Sequence, residues 1–218
     1  MQDFLVVTGM VIGAFPYGEY DKRIVLLTKE AGKITVFVPG ARRQGNRFSA
    51  VADLFVFGEF TLYVGKSAYR MQDAKVLNFF EFLRDDLMAA YYGMYFLELA
   101  DYYTRENNDE ALVLLLVYRA LQGLKSDKLD NSFVRSVFEL KLFVIEGDLI
   151  PPESLGETSA DLRCAVDHII NASIGDLFSF SLKDDGNARL KALADAERKR
   201  IVDRKLNSLE ILTVMAGE

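Results

Sequence analysis

The chain has 218 residues, half of them hydrophobic, and a formal charge of −6. That is enough chain to bury a sizeable core, in one large domain or two small ones. Its single cysteine, Cys164, excludes an intramolecular disulfide and fits a reducing compartment, and no apolar run is long enough to span a bilayer.

The charge is unevenly spread. Residues 1–78 carry ten Lys or Arg against seven Asp or Glu, a net of +3, which leaves −9 for residues 79–218. A basic module joined to an acidic one makes the total charge a poor guide to partners, because an anionic ligand senses the local field. The opening MQDFLVVTGMVIGAF is apolar, but it lacks a basic flank and a cleavage site and is broken by Gly9 and Gly13. It reads as strand rather than as a signal peptide, and the expected location is the cytoplasm.

Residues 1–78 are β-rich. Phe4–Gly9 and Val11–Phe15 hold β-branched and aromatic residues, with Gly9 and Gly13 as candidate bulges. Arg23–Thr28 and Lys33–Val38 flank a tight Glu30-Ala31-Gly32 turn and predict a hairpin. Asp53–Val64 alternates large apolar residues with others around Gly58, and Gly65-Lys66-Ser67 turns the chain into Ala68–Val76. Five short strands with glycine turns fit a small closed barrel. The aromatics Phe37, Phe48, Phe55, Phe57, Phe60, Tyr63 and Tyr69 are expected mostly in its core.

From Phe79 the apolar period lengthens to three and four residues, which predicts helices. The first covers Leu83 to about Asp101. The next is Glu110–Leu124, with Asp109 as a cap, and the third is Phe133–Glu146, stopped by Gly147 and Pro151-Pro152. Asp148–Ala160 reads as a loop. Asp161–Asn171, a basic helix Asn187–Val202 and an apolar Ser208–Met215 complete the chain. The expected division is residues 1–78, a nucleic-acid-binding barrel, and residues 79–218, a helical partner-binding domain.

Three features bear on chemistry. The first is the loop Gly40-Ala41-Arg42-Arg43-Gln44-Gly45-Asn46-Arg47. Arginine forks donate bidentate bonds to phosphate, and glycines let a backbone approach a nucleic-acid strand closely. Lys22, Arg23 and Lys33 lie on or near the hairpin, and Lys66 and Arg70 extend the rim if the barrel closes. These eight cations, Lys22, Arg23, Lys33, Arg42, Arg43, Arg47, Lys66 and Arg70, are the candidate DNA-binding set. The bland alternative is a solvated loop beside an aromatic core.

The second is the basic cluster Arg189, Lys191, Arg198, Lys199, Arg200, Arg204 and Lys205. It reads either as an exposed helix with internal ion pairs, such as Glu197 with Arg200, or as a second contact surface. The third is Cys164 and His168, spaced four apart on a predicted helix. A structural zinc needs four ligands and the chain holds no other Cys or His, so a core cysteine and a surface histidine are expected, with no metal and no cofactor. One His and one Cys also give no convincing nucleophile–base pair, and no phosphate-binding lysine motif is present, so the chain is expected not to be an enzyme.

The run YGEYDKRIVLLTKEAGKITVFVPGARR, the later ADLFVFGEFTLYVGKSAYRMQDAKVLNFF and the closing Asp203-Arg-Lys-Leu-Asn-Ser-Leu-Glu-Ile-Leu212 resemble the bacterial recombination mediator family RecO. The resemblance implies an α+β protein, an N-terminal OB-fold barrel followed by a helical C-terminal domain. It implies a non-catalytic role in recombinational repair, nucleoid-associated. Such proteins bind single- and double-stranded DNA and anneal complementary strands. They engage the acidic tail of single-strand-binding protein and act with RecR to help RecA displace it. Many members carry a cysteine-rich zinc module after the position matching Gly147–Pro152. Here that stretch, Glu146-Gly-Asp-Leu-Ile-Pro-Pro-Glu-Ser-Leu-Gly-Glu, holds no cysteine, so zinc is not carried over.

For the tail of single-strand-binding protein, Arg119, Arg135 and Lys141 are available as a basic rim. The rival reading is a protein-binding adaptor whose DNA affinity is incidental. An RNA-binding barrel is a third class.

Overall fold

A computed structural model describes residues 3–66, 68–149 and 159–216. Five strands come first: β1 (Phe4–Tyr17), β2 (Asp21–Thr28), β3 (Gly32–Val38), β4 (Phe57–Val64) and β5 (Tyr69–Asn78). Seven helices follow among the described residues: α1 (Phe82–Asp85), α2 (Leu87–Tyr103), α3 (Ala111–Leu124), α4 (Asn131–Glu146), α5 (Ala160–Asn171), α6 (Asp184–Ile201) and α7 (Asn207–Ala216). The protein is α+β, as the sequence predicts.

The strands close into a barrel in the order β1-β2-β3-β5-β4, with β3 and β5 parallel and all other pairs antiparallel. This is an OB-like barrel followed by helices. The alternation of β-strand side chains sends Val7, Val11, Ile24, Leu26, Ile34, Val36, Phe60, Leu62 and Met71 inward to a single core. The register of β1 against β2 slips between Val11 and Gly13, so Gly13 marks a bulge. Gly9 serves a different end: a Cβ there would lie 2.5 Å from the Leu27 carbonyl oxygen.

Three expectations need correcting. Asp53–Val56 is not the start of β4, because Phe55 takes a left-handed φ of 70° and the strand begins only at Phe57. The first long helix is broken at Asp86, whose carboxylate caps α2 by accepting from the Ala89 amide at 2.9 Å. The barrel aromatics are core only in part: Phe60 is fully buried and Phe48 and Tyr69 pack half-buried against the core, whereas Phe37, Phe55, Phe57 and Tyr63 are half-buried and do not belong to it. Aliphatic side chains and Phe60 fill most of the small interior.

The helix limits otherwise follow the sequence. Asp130 caps α4 by accepting from the Ser132 and Phe133 amides, and those bonds outweigh partial burial to hold its carboxyl below the usual carboxylate range. Gly147 closes α4 with φ 79°. Residues 150–158, which include Pro151-Pro152 and most of the expected loop, lie outside the described residues.

By contacts the chain divides into two compact units: Met1–Phe82 with Leu97–Leu114, and Leu83–Phe96 with Leu115–Glu218. In the first unit the β2–β3 hairpin tip meets the segment Arg105–Asn108. Gly32 bridges Glu106, the Lys33 amide donates to the Arg105 carbonyl at 2.9 Å, and the Asn107 amide donates to the Ala31 carbonyl at 3.1 Å. Gly32 has φ 66°, and a Cβ there would lie 2.4 Å from the Arg105 carbonyl oxygen, so only glycine fits.

Candidate nucleic-acid interface

The basic loop leaves β3 at Val38 and is tied to the β1–β2 turn. The Gly40 amide, in a left-handed residue with φ 67°, donates to the Asp21 carboxylate at 2.7 Å. The Arg42 amide donates to the Tyr20 carbonyl at 2.8 Å. Asn46 stiffens the far side, its side-chain oxygen accepting from the Phe48 amide at 2.8 Å.

The three loop arginines are exposed but differ in what they hold. Arg42 donates to the Gly18 and Glu19 carbonyls at 3.3 and 3.2 Å. Arg47 donates to the Gln72 carbonyl at 2.6 Å, approaches Asp73 at 3.4 Å and lies over the Phe48 ring. Arg43 stacks over the Tyr20 ring at 4.8 Å and has no ion-pair partner among the described residues. The remaining five candidates divide in the same way. Lys22 pairs with Asp53 and donates to the Ala52 carbonyl, and Lys33 pairs with Asp101 at 3.0 Å. Both charges are largely spent inside the protein. Lys66 and Arg70 are exposed with no ion-pair partner among the described residues, and Arg23 lies over the Phe15 ring at 4.7 Å.

A second feature joins these cations. Strand register pairs Phe15 with Arg23, Arg23 with Phe37, Phe37 with Arg70, Arg70 with Tyr63, and Tyr63 with Phe4. All six alternate with core-facing neighbours and therefore point outward. They form one continuous row of rings and guanidinium groups around the barrel. It leaves β1 at Phe15 and returns to β1 at Phe4, 11 residues earlier by subtraction of their numbers. That offset is the stagger required to close a tilted barrel, so the row is a spiral rather than a ring. At about 4.8 Å between neighbouring strands, its five steps cover roughly 24 Å. Phe15 and Phe4 are 45% and 53% exposed, and Tyr17, 52% exposed, meets Phe37 edge-on at 4.7 Å.

Phe4, Phe15 and Tyr17 are absent from the residues picked out in the sequence. The signal was present in the two-residue alternation of β1, but only the β1–β2 register places Phe15 opposite Arg23.

The proposed partner rim is not a surface. Arg135 is buried, donating through Nε to Glu139 at 2.8 Å and pairing with Asp195, and it lies over the Tyr95 ring. Burial alone would lower its basicity, but the Glu139 carboxylate reverses that and raises its pKa. Tyr95 donates to the same carboxylate, and burial first and Glu139 second push its hydroxyl well above the ordinary value. Lys141 is also buried. Its ammonium donates to the Ile169, Ile170 and Ala172 carbonyls at 2.9, 3.0 and 2.9 Å, capping the last turn of α5. Arg119 alone is half-exposed, donating to Gln122 at 3.0 Å.

The basic cluster of α6 follows the bland reading at several positions. Arg189 pairs with Asp185, Arg198 with Asp195, Arg200 with Glu197 and, beyond the helix, Lys205 with Glu210. The core position expected for Cys164 is not found. Cys164 is exposed, and His168 is half-buried against the Phe180 ring at 4.7 Å. Among the described residues no group of three or more His, Cys, Asp or Glu is placed to hold a metal ion, and no helix is long and apolar enough to cross a membrane.

Residues 1–80 match the family model described as Recombination protein O N terminal, and residues 84–147 match Recombination protein O C terminal. Among curated proteins, the chain is similar to the DNA repair protein RecO of Alkaliphilus metalliredigens, 31% identical over 70% of this chain and 63% of that protein. The DNA repair protein RecO of Symbiobacterium thermophilum is 33% identical over 65% of this chain and 56% of its own length. That of Bacillus velezensis is 27% identical over 82% and 64%. The chain thus spans less than two thirds of the length of these relatives.

Proposed function

The chain belongs to the recombination protein O family, and from that premise we propose that it serves DNA repair as a non-catalytic mediator that binds DNA on its barrel. The observation carrying this reading is the outward spiral of Phe15, Arg23, Phe37, Arg70, Tyr63 and Phe4, on a barrel that also exposes Arg43 and Lys66. Rings and guanidinium planes accept bases of any sequence by stacking, and unpaired cations neutralise phosphates. The two together suit a single strand, whose bases are free to turn toward the protein.

Annealing follows from the same chemistry. Two strands held near one cationic surface repel each other less, and stacked bases released together pair with one another. Double-stranded DNA offers only its phosphates to this surface and is held by the cations alone. Within the DNA-binding set, Arg23, Arg43, Lys66 and Arg70 carry the contact, with Arg42 and Arg47 contributing unused fork donors. Lys22 and Lys33 chiefly hold the barrel's own loops.

The proposed partners are RecR, the acidic tail of single-strand-binding protein and, indirectly, RecA. With Arg135 and Lys141 inside the helical unit, the tail must use other cations. The adaptor reading has one observation in its favour: Ile211, Val214 and Met215 lie three and four apart on α7 and are 49%, 78% and 46% exposed.

The deciding experiment is fluorescence anisotropy of a labelled single-stranded oligonucleotide across a salt series. Binding with a steep salt slope, reduced in Arg43→Ala/Arg70→Ala, supports the mediator. Absent or salt-insensitive binding replaces it with the adaptor.

A further inference from the structure

A cleft of about 380 Å³ opens beside β3, within the roughly 300–1,000 Å³ typical of small-ligand sites. Phe37, Thr35 and Lys33 form its β3 wall, Lys66 lines it from the β4–β5 connection and Tyr69 from the start of β5. Its last lining residue, Glu106, comes from outside the strands. Glu106 is exposed, and its carboxylate has no ion-pair or hydrogen-bond partner among the described residues.

The backbone that presents Glu106 is fixed on both sides. Arg105 accepts from the Lys33 amide, Glu106 bridges Gly32, and Asn107, held at a left-handed φ of 62°, donates to the Ala31 carbonyl. Lys33 is anchored to the Asp101 carbonyl and carboxylate at 2.6 and 3.0 Å, so its charge is met from that side. A site meant only for phosphate gains nothing from a carboxylate, which repels it. The cleft offers a partner for the base face in its rings, for the base edge in the Glu106 carboxylate, and for a phosphate in the Lys66 ammonium.

We propose that this cleft takes one unstacked nucleobase and that Glu106 makes it selective for guanine. An ionised carboxylate only accepts hydrogen bonds. Guanine presents two adjacent N–H donors on its pairing edge, N1–H and an N2 amine hydrogen, which match both carboxylate oxygens. Cytosine and adenine offer one amine beside a ring acceptor. Thymine offers a single N–H between two carbonyl oxygens, which face the carboxylate with like partial charge. Single-stranded recognition commonly reads this edge once the base is turned out. The inference rests on the reading of the barrel as a single-strand surface and adds a base preference to it.

The test compares two oligonucleotides of about twelve nucleotides, inside the range one OB barrel spans. One is all thymidylate and the other carries one central guanine, and each is titrated against the wild-type chain and Glu106→Gln. The wild type should bind the guanine-containing strand about fivefold more tightly, the lower end of what a bidentate pair contributes at an open site. In Glu106→Gln, which loses one acceptor and gains a donor, the ratio should fall to near one while the all-thymidylate affinity stays level or rises. Equal wild-type affinities, or a preference for thymidylate, overturn the guanine site and leave the barrel surface standing. A guanine preference that survives Glu106→Gln overturns the role of Glu106. No binding of either strand removes the barrel reading itself, and this inference with it.

Discussion

The guanidinium of Arg23 lies 4.7 Å from the centre of the Phe15 ring, and the two residues are register partners across β1 and β2. The ring therefore holds the cation beside it before any ligand arrives. A base entering the row meets a surface whose side-chain freedom is already restricted, which lowers the ordering cost of binding.

Phe15→Ala should weaken single-strand binding by about 1–3 kcal/mol, the cost of one lost stacking partner. The thermal midpoint should barely move, because Phe15 is 45% exposed. Arg23→Lys should recover the salt slope of the wild type but not its affinity, since an ammonium keeps the charge and loses the plane. Anisotropy titration beside a melting curve separates the two contributions.

Arg43→Ala and Arg70→Ala should each lower the slope of log K against log salt by about 0.7, one phosphate contact on a single strand. Lys22→Ala should leave that slope nearly unchanged and lower stability instead, because its ammonium pairs with Asp53 and the Ala52 carbonyl. If Lys22→Ala changes the slope as much as Arg43→Ala does, the division into spent and available cations is wrong.

Arg135→Leu should destabilise the helical unit by about 3–5 kcal/mol, because it takes from the buried Glu139 carboxylate its 2.8 Å cation and leaves only Arg198 at 3.7 Å. Arg135→Leu/Glu139→Leu should recover part of that loss, since an apolar pair needs no compensating charge. Urea unfolding of the single and double variants measures both.

The same cluster sets an acid limit. Partial burial would raise the Asp195 carboxyl, but its bonds to Arg198 and its proximity to Arg135 outweigh that and hold its pKa below the ordinary value. Asp130 is depressed as well. A carboxylate with a depressed folded pKa stabilises fully above its unfolded pKa, about 4, and loses that contribution as pH falls through the folded value. Urea midpoints should therefore hold steady from neutral pH down to about 4 and drop below it. Asp195→Asn should show a shallower acid drop from a lower starting stability.

The barrel was legible because its signals are local. The Glu30-Ala31-Gly32 turn, the alternation in β3 and the glycines at the strand ends each act over a few residues. Helix limits were legible for the same reason, through Asp109, which accepts from the Ala111 amide at 3.2 Å, and through Gly147. The break at Phe55 was not, since no propensity predicts a left-handed phenylalanine. The cations Arg42, Arg43 and Arg47 were legible as a cluster, but which of them is already committed depends on carbonyls at Gly18, Glu19 and Gln72, distant in sequence. Arg135 and Lys141 look like surface cations in any linear reading. Their burial follows from partners 60 and 28–31 residues away.

The grip of Arg105 to Asn107 on the β2–β3 tip bears on how the molecule divides. The family match for the barrel stops at residue 80, yet the carbonyl that accepts from the Lys33 amide and the carboxylate that meets its ammonium belong to Arg105 and Asp101. A gene fragment cut at residue 80 would express the five strands with an unpaired hairpin edge, open to pairing with a second molecule. The residues that close the edge, 97–114, are reached only through residues 83–96, which pack with the second unit, so no single cut in the chain separates the barrel from the helices without exposing one of them.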